Sequence, residues 1–209
     1  LFTCGMLAFT VRQAVAVYYF QYNLERPDLI SSFFLVTLLV MLAGLFAVPR
    51  LSAALGKAGS IIAGGALTIL GCTGMYFTPY DAPYWAMAWG CVIALGGTPI
   101  AVLGWAMIPD TIEYAQWRHG KRADGAIYSF SSFFQKLAKT VGGSAVALVL
   151  SLAGYVAHQS QSAQSLEAIR AMMSWGPAGV MVVAMLTALL YPLSRTDHER
   201  MVQEIAQRQ

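Results

Sequence analysis

The chain has 209 residues, of which 57% are hydrophobic and only 11% are charged. Soluble domains carry about 25% charged residues, so this composition excludes an ordinary soluble domain and predicts an all-α protein that crosses a membrane repeatedly. The net charge of +3 comes from basic residues in predicted loops and a tail, which argues against a nucleic-acid partner. The three cysteines lie in apolar runs without metal or disulfide spacing, and we predict no metal site and no cofactor.

Six apolar stretches are long enough to cross a hydrocarbon core of about 30 Å, which takes about 20 helical residues. In chain order they are roughly Leu1–Tyr22, Leu29–Val48, Ser60–Thr78, Pro83–Met107, Ala126–Val156 and Ala171–Leu193. We therefore predict a six-helix bundle over residues 1–193 and a polar tail over residues 194–209. Because the chain begins inside an apolar run with Leu1 rather than Met, we expect a fragment that lacks its own N-terminus.

Basic residues are distributed unevenly between the two sides of the predicted membrane. One side carries eight, namely Arg50, Lys57, Arg118, Lys121, Arg122, Arg195, Arg200 and Arg208, and the other carries only Arg26 and Arg170. Lys and Arg concentrate in cytoplasmic loops. The second loop, the fourth loop and the C-terminal tail are therefore predicted to be cytoplasmic, in a multi-pass protein of the cell membrane, which in a bacterium is the inner membrane.

The first predicted span contains an arginine near its middle. Arg12 lies about 15 Å from the start of the span at 1.5 Å per residue, and its guanidinium suits a bidentate pair with a carboxylate or sulfonate. It is either a ligand of an anionic substrate or one member of an ion pair with a helix outside this chain. Tyr18 and Tyr19, on the same span, are candidates for a cavity wall, although tyrosine at the end of a span is also typical of the interfacial belt.

The segment 108–143 joins a charged loop to an apolar helix that contains two lysines. Lys136 is predicted to lie near the bilayer midplane, where a lysine costs a few kcal/mol, and Lys139 follows one turn later on the same face. Both are candidates for a cavity wall, and the alternative is snorkelling or helix packing. Ser132 and Gln135 offer hydrogen bonds beside Lys136, although serine also bonds to its own helix backbone.

The segments IPDTIEYAQWRHGKRADGAIYS (108–129) and FQKLAKTVGGSAVALVLSLAGY (134–155) resemble the glycoside–pentoside–hexuronide:cation symporter family, the melibiose-permease-like branch of the major facilitator superfamily. The run YYFQY at 18–22, the turn at 49–57 and the run YPL at 191–193 are similar to the same family in the same order. The resemblance implies that the chain is the C-terminal half of a twelve-helix transporter and that the N-terminal six-helix half is its partner. It implies a sugar, glycoside or sugar-acid substrate and a coupling cation, Na⁺ or H⁺, bound mainly by the N-terminal half.

The resemblance also implies roles for individual residues. Lys136 matches the lysine of the family's eleventh helix, which is linked to cation and sugar coupling, and Arg12 becomes a candidate ligand of an anionic sugar such as a hexuronide. Apart from the resemblance, Trp105 is a candidate platform for a sugar ring, although its position close to the cytoplasmic end of its span favours packing or gating. Charged residues at the cytoplasmic ends are expected to hold the two halves together as a gate, and here they are Asp110, Glu113, Arg118, Lys121 and Arg122, with Asp110 and Arg122 the strongest candidates.

Two other classes of protein fit the sequence less well. A membrane enzyme would need a nucleophile with its base, a metal cluster or a carboxylate pair within the spans, and the acidic residues lie in loops, near span ends or in the tail. A channel would need a selectivity filter or a ring of charge. We therefore predict a cation-coupled sugar symporter rather than an enzyme, with a non-transporting or channel-like membrane subunit as the alternative.

Overall fold

The computed structural model describes residues 2–119, 124–157 and 159–190, together with Glu204. These residues form helices and short connections, with no strand in the described ranges. The helices are α1 (Phe2–Tyr18), α2 (Ile30–Phe77), α3 (Pro83–His119), α4 (Asp124–Leu152) and α5 (Ala163–Leu189). The all-α prediction is confirmed for these ranges. The division into a bundle and a tail stays a prediction, because most of 194–209 lies outside them.

The end of α1 widens into a π-helical turn over Tyr19–Asn23, in which Leu24 N donates to Tyr19 O at 3.1 Å. A short 3₁₀ turn at Pro27–Leu29 then leads into α2. Between the two, Arg26 donates to both carboxylate oxygens of Asp28, at 2.8 and 2.7 Å. That hydrogen bond lowers the pKa of Asp28. Both side chains are exposed, so the pair orders the turn but adds little stability.

Helix α2 is too long to be a single crossing. Its 48 residues would extend about 72 Å at 1.5 Å per residue, more than twice the hydrocarbon thickness. Two helical pieces meet at Gly56, whose φ of 72° lies in the left-handed region that favours glycine. The pieces, residues 30–55 and 57–77, contain the second and third predicted spans.

Helix α3 continues well beyond the predicted end of its span. It reaches His119 instead of Met107, so the prediction of a loop at Asp110, Glu113 and Arg118 was wrong. The extension contains a few good helix formers, and it buries Ile112, which gives it an apolar anchor. Because of this helix, the charged residues are held on a rigid element rather than in a flexible loop.

The boundaries of the last two helices also differ from the predicted spans. Helix α4 ends at Leu152, four residues early, and Gly154 follows with a φ of 74°. Helix α5 begins at Ala163 rather than Ala171, because Ser162 caps it: the Ser162 hydroxyl accepts from Ser165 N at 3.1 Å. The added first turns of α5 carry polar side chains that bond to neighbouring helices.

The tightest helix crossing joins α2 to α3. A Cβ on Gly64 would lie 2.5 Å from Gly96 O, and a Cβ on Gly96 would lie 2.6 Å from Thr68 N. Only glycine allows two backbones to approach this closely, and such small-residue contacts drive helix association in lipid. Elsewhere, α1 packs between α5 and α4. Helix α4 buries only one stripe, which consists of Ala138, Gly142, Val146 and Leu150.

Three segments within the described ranges are long and apolar enough to cross a membrane: Pro27–Phe77, Pro83–Arg118 and Ala163–Leu189. Many large apolar side chains on the outside of the bundle are exposed, including Phe46, Leu152 and Leu190. A multi-pass membrane protein accounts for both features, because lipid is a good solvent for an apolar surface.

The glycine contact makes a testable prediction about stability. We expect Gly96→Ala in the full-length protein to lower the unfolding free energy by about 1–3 kcal/mol, because the added methyl collides with backbone rather than with a movable side chain. The control is Gly179→Ala on α5, where a Cβ meets no atom within 4 Å. The apparent melting temperature in detergent checks the pair, and equal values for both variants would contradict the close packing.

Candidate functional site

A cavity of about 350 Å³ lies among all five helices. Helix α1 contributes Phe9 and Arg12, α2 contributes Thr68, α3 contributes Trp105, and α4 contributes Lys139. Its walls are mainly apolar, with a small number of polar and charged groups. That combination and volume are typical of a site for a small organic ligand, where apolar walls exclude water and a few polar groups orient the molecule.

Arg12 is the most unusual group in the cavity wall. The residue is only 5% exposed, and its Nη1 has no hydrogen-bond partner among the described residues. An arginine remains charged in proteins, so burying it without an anion is costly. Arg12 lies within helix α1 and is buried there, and its role as a ligand or as an ion-pair partner stays a prediction. Its partner must come from a ligand or from a part of the protein outside the described residues.

The two lysines of α4 have different positions. Lys139 lines the cavity, whereas Lys136 does not contribute to its wall. Both side chains are exposed in this structure, and the carbonyl of Lys136 accepts from Thr140 Oγ1 at 3.1 Å. The two lysines lie three residues apart on α4, as predicted, and of the two only Lys139 lines the cavity together with Arg12. The coupling role of Lys136 stays a prediction.

Ser132 and Gln135 also lie away from the cavity wall. Ser132 is exposed, and Gln135 is half-buried with its Nε2 lacking a partner in the described part of the chain. They share α4 with Lys136 and belong to the part of this helix that has few neighbours. Their role in substrate binding stays a prediction.

Tyr18 and Tyr19 lie in an aromatic cluster rather than in the cavity. Tyr19 is fully buried in the π-helical turn, and Tyr18 packs edge-on against Tyr155 with ring centroids 5.4 Å apart. Tyr155 in turn donates to the hydroxyl of Tyr22 at 2.9 Å. These contacts show that the tyrosines pack the helices together at this end, and substrate contact by either one stays a prediction.

Sequence reasoning did not find Phe9 in the cavity wall, and for Trp105 it favoured packing or gating over contact with a sugar. Trp105 lines the cavity, is half exposed, and contacts Phe2 edge-on at 5.0 Å between ring centroids. Phe9 lies on the same wall. The available signal was the spacing of Phe2, Phe9 and Arg12 on α1, since residues three, four or seven apart share a helical face.

The end of the bundle that carries Lys57 and Asp110, called the basic end below, contains an ion pair within the chain. Lys57 Nζ donates to Asp110 Oδ2 at 2.5 Å, joining α2 to α3. The Asp110 side chain is 8% exposed and that of Lys57 34%, so this pair is screened less than a surface pair. Lys57 is a partner that the sequence interpretation did not assign to Asp110.

The other predicted gate residues lie near this pair along α3. Glu113 is half-buried, and Arg118 donates from Nη1 to the hydroxyl of Tyr114 at 3.0 Å. Trp117 donates from Nε1 to Glu204 Oε2 at 2.7 Å, which brings a tail residue to α3. Lys121 and Arg122 lie outside the described residues. The gate role of the whole group stays a prediction.

The opposite end of the bundle is held by Arg170 of α5. Its Nε donates to the carbonyl of Tyr76 at 2.6 Å, and its guanidinium lies 4.7 Å from the ring centroid of Tyr76 and 5.1 Å from that of Tyr80. Tyr76 also donates its hydroxyl to Glu167 at 2.8 Å. The arginine thereby satisfies a carbonyl at the end of α2 that has no helical partner, and it stacks on two aromatic faces.

These features define a multi-pass helical membrane protein with an internal cavity for a small ligand. Comparison with known proteins identifies the group: the chain belongs to the MFS/sugar transport protein family, whose family model matches residues 1–195. This is a family of transporters rather than enzymes. The resemblance to glycoside–pentoside–hexuronide:cation symporters that the motifs predicted is confirmed.

Curated relatives give the comparison more detail. The uncharacterized symporter YnaJ of Bacillus subtilis is 34% identical over 95% of this chain. The glucuronide carrier protein homolog of Escherichia coli is 31% identical over 98% of this chain, and the isoprimeverose transporter of Lactiplantibacillus pentosus is 31% identical over 91%. The chain covers 43%, 45% and 40% of these three proteins, respectively, so it spans less than half the length of each.

The ion pair at the basic end makes the second prediction. We expect Asp110→Asn to lower the unfolding free energy of the full-length protein by about 1–3 kcal/mol, between the values for exposed and buried pairs, because it leaves a partly buried lysine without its anion. Arg118→Gln, on the exposed surface of the same helix, is the control and should change stability by less than about 1 kcal/mol. Denaturation of both variants in detergent measures this change. An Asp110→Asn variant as stable as the unmodified protein would contradict the prediction.

Proposed function

We propose that the full protein carries a sugar, glycoside or sugar acid across the membrane together with Na⁺ or H⁺. The observation that carries the proposal is the cavity among five helices, with charged groups in an otherwise apolar wall, in a chain of the sugar transport family. One relative is described as a symporter, one as a glucuronide carrier homolog and one as an isoprimeverose transporter, which supports both solute transport and cation coupling.

In this proposal the chain is the C-terminal six-helix half of a twelve-helix transporter. The two pieces of α2 and the four other helices correspond to six crossings, and the relatives are more than twice as long as this chain. The N-terminal half would supply the other wall of the cavity and most of the ligands of the coupling cation. The basic end faces the cytoplasm of a bacterial inner membrane, following the distribution of Lys and Arg.

The structure also suggests how such a half takes part in alternating access. Transport requires one end of the cavity to open while the other is closed. The end held by Arg170 has aromatic packing and several hydrogen bonds between helices. The basic end has the Lys57–Asp110 ion pair and the other charged residues of α3, which suit a contact that must form and break in each cycle.

Uptake by the purified full-length protein in liposomes tests this function. We expect sugar counterflow above that of protein-free liposomes, and accumulation that rises several-fold with an inward Na⁺ gradient or an inward H⁺ gradient. The panel should contain a glycoside, a pentose-containing disaccharide and a hexuronic acid, each measured with Na⁺, with K⁺ in its place, and at two external pH values. Absence of cation-dependent accumulation for all of them would overturn symport, and cation-independent equilibration alone would indicate a passive channel-like pathway.

A further inference from the structure

We propose that the cavity binds the anionic group of a sugar acid, a carboxylate or a sulfonate, with Arg12 as its principal ligand and Lys139 as a second cation. This inference rests on the proposed function and deepens it, because it assigns a charge to the substrate. The structure contributes two cations from different helices that line a single cavity.

The state of Arg12 is the first argument. A guanidinium has five N–H donors in a planar fork that matches the two oxygens of a carboxylate or two oxygens of a sulfonate. Here Arg12 is among the residues that line the cavity, it is more than nine-tenths buried, and its Nη1 donates to no group in the described ranges. The donor is therefore in place before any anion arrives, and an anion would relieve the cost of burying an unpaired charge.

The charge balance of the cavity is the second argument. Lys139 adds a positive charge from α4, and no Asp or Glu contributes to the wall formed by the described residues. The apolar surroundings weaken dielectric screening, so the attraction of both cations for an anion is stronger than it would be in water. The side chain of Lys139 is exposed, whereas Arg12 is buried among neighbouring helices. Arg12 therefore determines position, and Lys139 adds charge.

The shape of the wall is the third argument. Trp105 and Phe9 present aromatic surface to the same cavity. Sugar rings have apolar C–H faces that pack against aromatic rings, and their polar edges need hydrogen bonds. A ligand with a cyclic body and one acidic substituent can use the aromatic wall and the cationic wall together, whereas a small inorganic anion would leave the apolar wall unused.

The competing explanation is that Arg12 forms a fixed ion pair with a carboxylate outside this chain. The two explanations differ in one measurable respect. A substrate-binding Arg12 affects acidic sugars more than neutral ones, whereas a structural ion pair affects all substrates alike. The test therefore compares ligands that share a ring and differ only at C6.

Three matched ligands serve as probes: glucose, glucuronate with a carboxylate at C6, and 6-deoxy-6-sulfoglucose with a sulfonate there. Binding to the detergent-purified full-length protein is measured by calorimetry, at low salt and again at high salt. We expect at least one of the acidic sugars to bind ten-fold or more tightly than glucose, with the advantage falling as salt rises. The two acidic ligands distinguish a carboxylate site from a sulfonate site.

Four variants then locate the effect. Arg12→Gln should weaken the preferred acidic sugar at least ten-fold while changing glucose by less than three-fold, and Lys139→Gln should weaken it by about three-fold. Arg12→Lys keeps the charge but loses the fork, so it should retain only part of the preference. The matched control is Arg50→Gln, an exposed arginine on α2 away from the cavity, and it should behave as the unmodified protein.

Several results would overturn the inference. These are glucose binding as tightly as both acidic sugars, no binding of either acidic sugar, or an equal loss of all ligands in Arg12→Gln. If that variant does not fold, an unchanged preference in Arg12→Lys overturns it instead. Cation-driven accumulation of neutral sugars without acidic preference would remove this inference and leave symport standing. Arg12-dependent binding of an acidic sugar without cation-dependent uptake would support this inference and contradict symport.

Discussion

The backbone of a membrane-embedded chain must satisfy its own hydrogen bonds, and this constraint accounts for most of the architecture. Each unsatisfied amide or carbonyl in hydrocarbon costs several kcal/mol, so the apolar stretches become helices. The departures from regular helix occur where other groups can supply hydrogen bonds. In the π-helical turn at Tyr19–Asn23 the carbonyl of Tyr19 accepts from Leu24 N, and at the break the carbonyl of Gly56 accepts from the Ser60 hydroxyl at 2.7 Å.

Within that constraint, the two ends of the bundle are joined in different ways. One end uses Arg170, Tyr76 and the tyrosine cluster around Tyr155, and the other uses the pair of Lys57 with Asp110. In the middle, the glycines of α2 and α3 bring two backbones into contact, while α4 is held by a single stripe of side chains. The fold is therefore rigid along α2 and α3 and sparsely packed along α4. That difference allows α4 to present its remaining surface to a ligand or to the proposed N-terminal half.

The sequence predicted the positions of the helices well, because hydropathy over 20 residues depends little on tertiary contacts. It did not predict the extension of α3, since the charged residues after Met107 favour both a loop and a helix end until the burial of Ile112 is known. It also did not show which of Lys136 and Lys139 lines the cavity. At about 100° per residue, Lys139 is rotated about 100° from Ala138, whereas Lys136 is rotated about 160° from it. Only the direction of that buried stripe decides which lysine reaches the cavity. The sequence could single out Arg12 as a candidate site residue, because a charge in the middle of an apolar span is unusual however the helices pack.

The π-helical turn at the end of α1 has a consequence for the evolution of this chain. A π turn is equivalent to one extra residue in an α-helix. Loss of a single residue there, such as the exposed Gln21, would restore a regular helix and rotate the following side chains by about 100°. The hydroxyl of Tyr22 would turn away from Tyr155, and the Asn23 amide, which donates to the carbonyl of Leu166 at 2.8 Å, would lose that bond. Length changes in this short segment should therefore be selected against more strongly than substitutions at its exposed position.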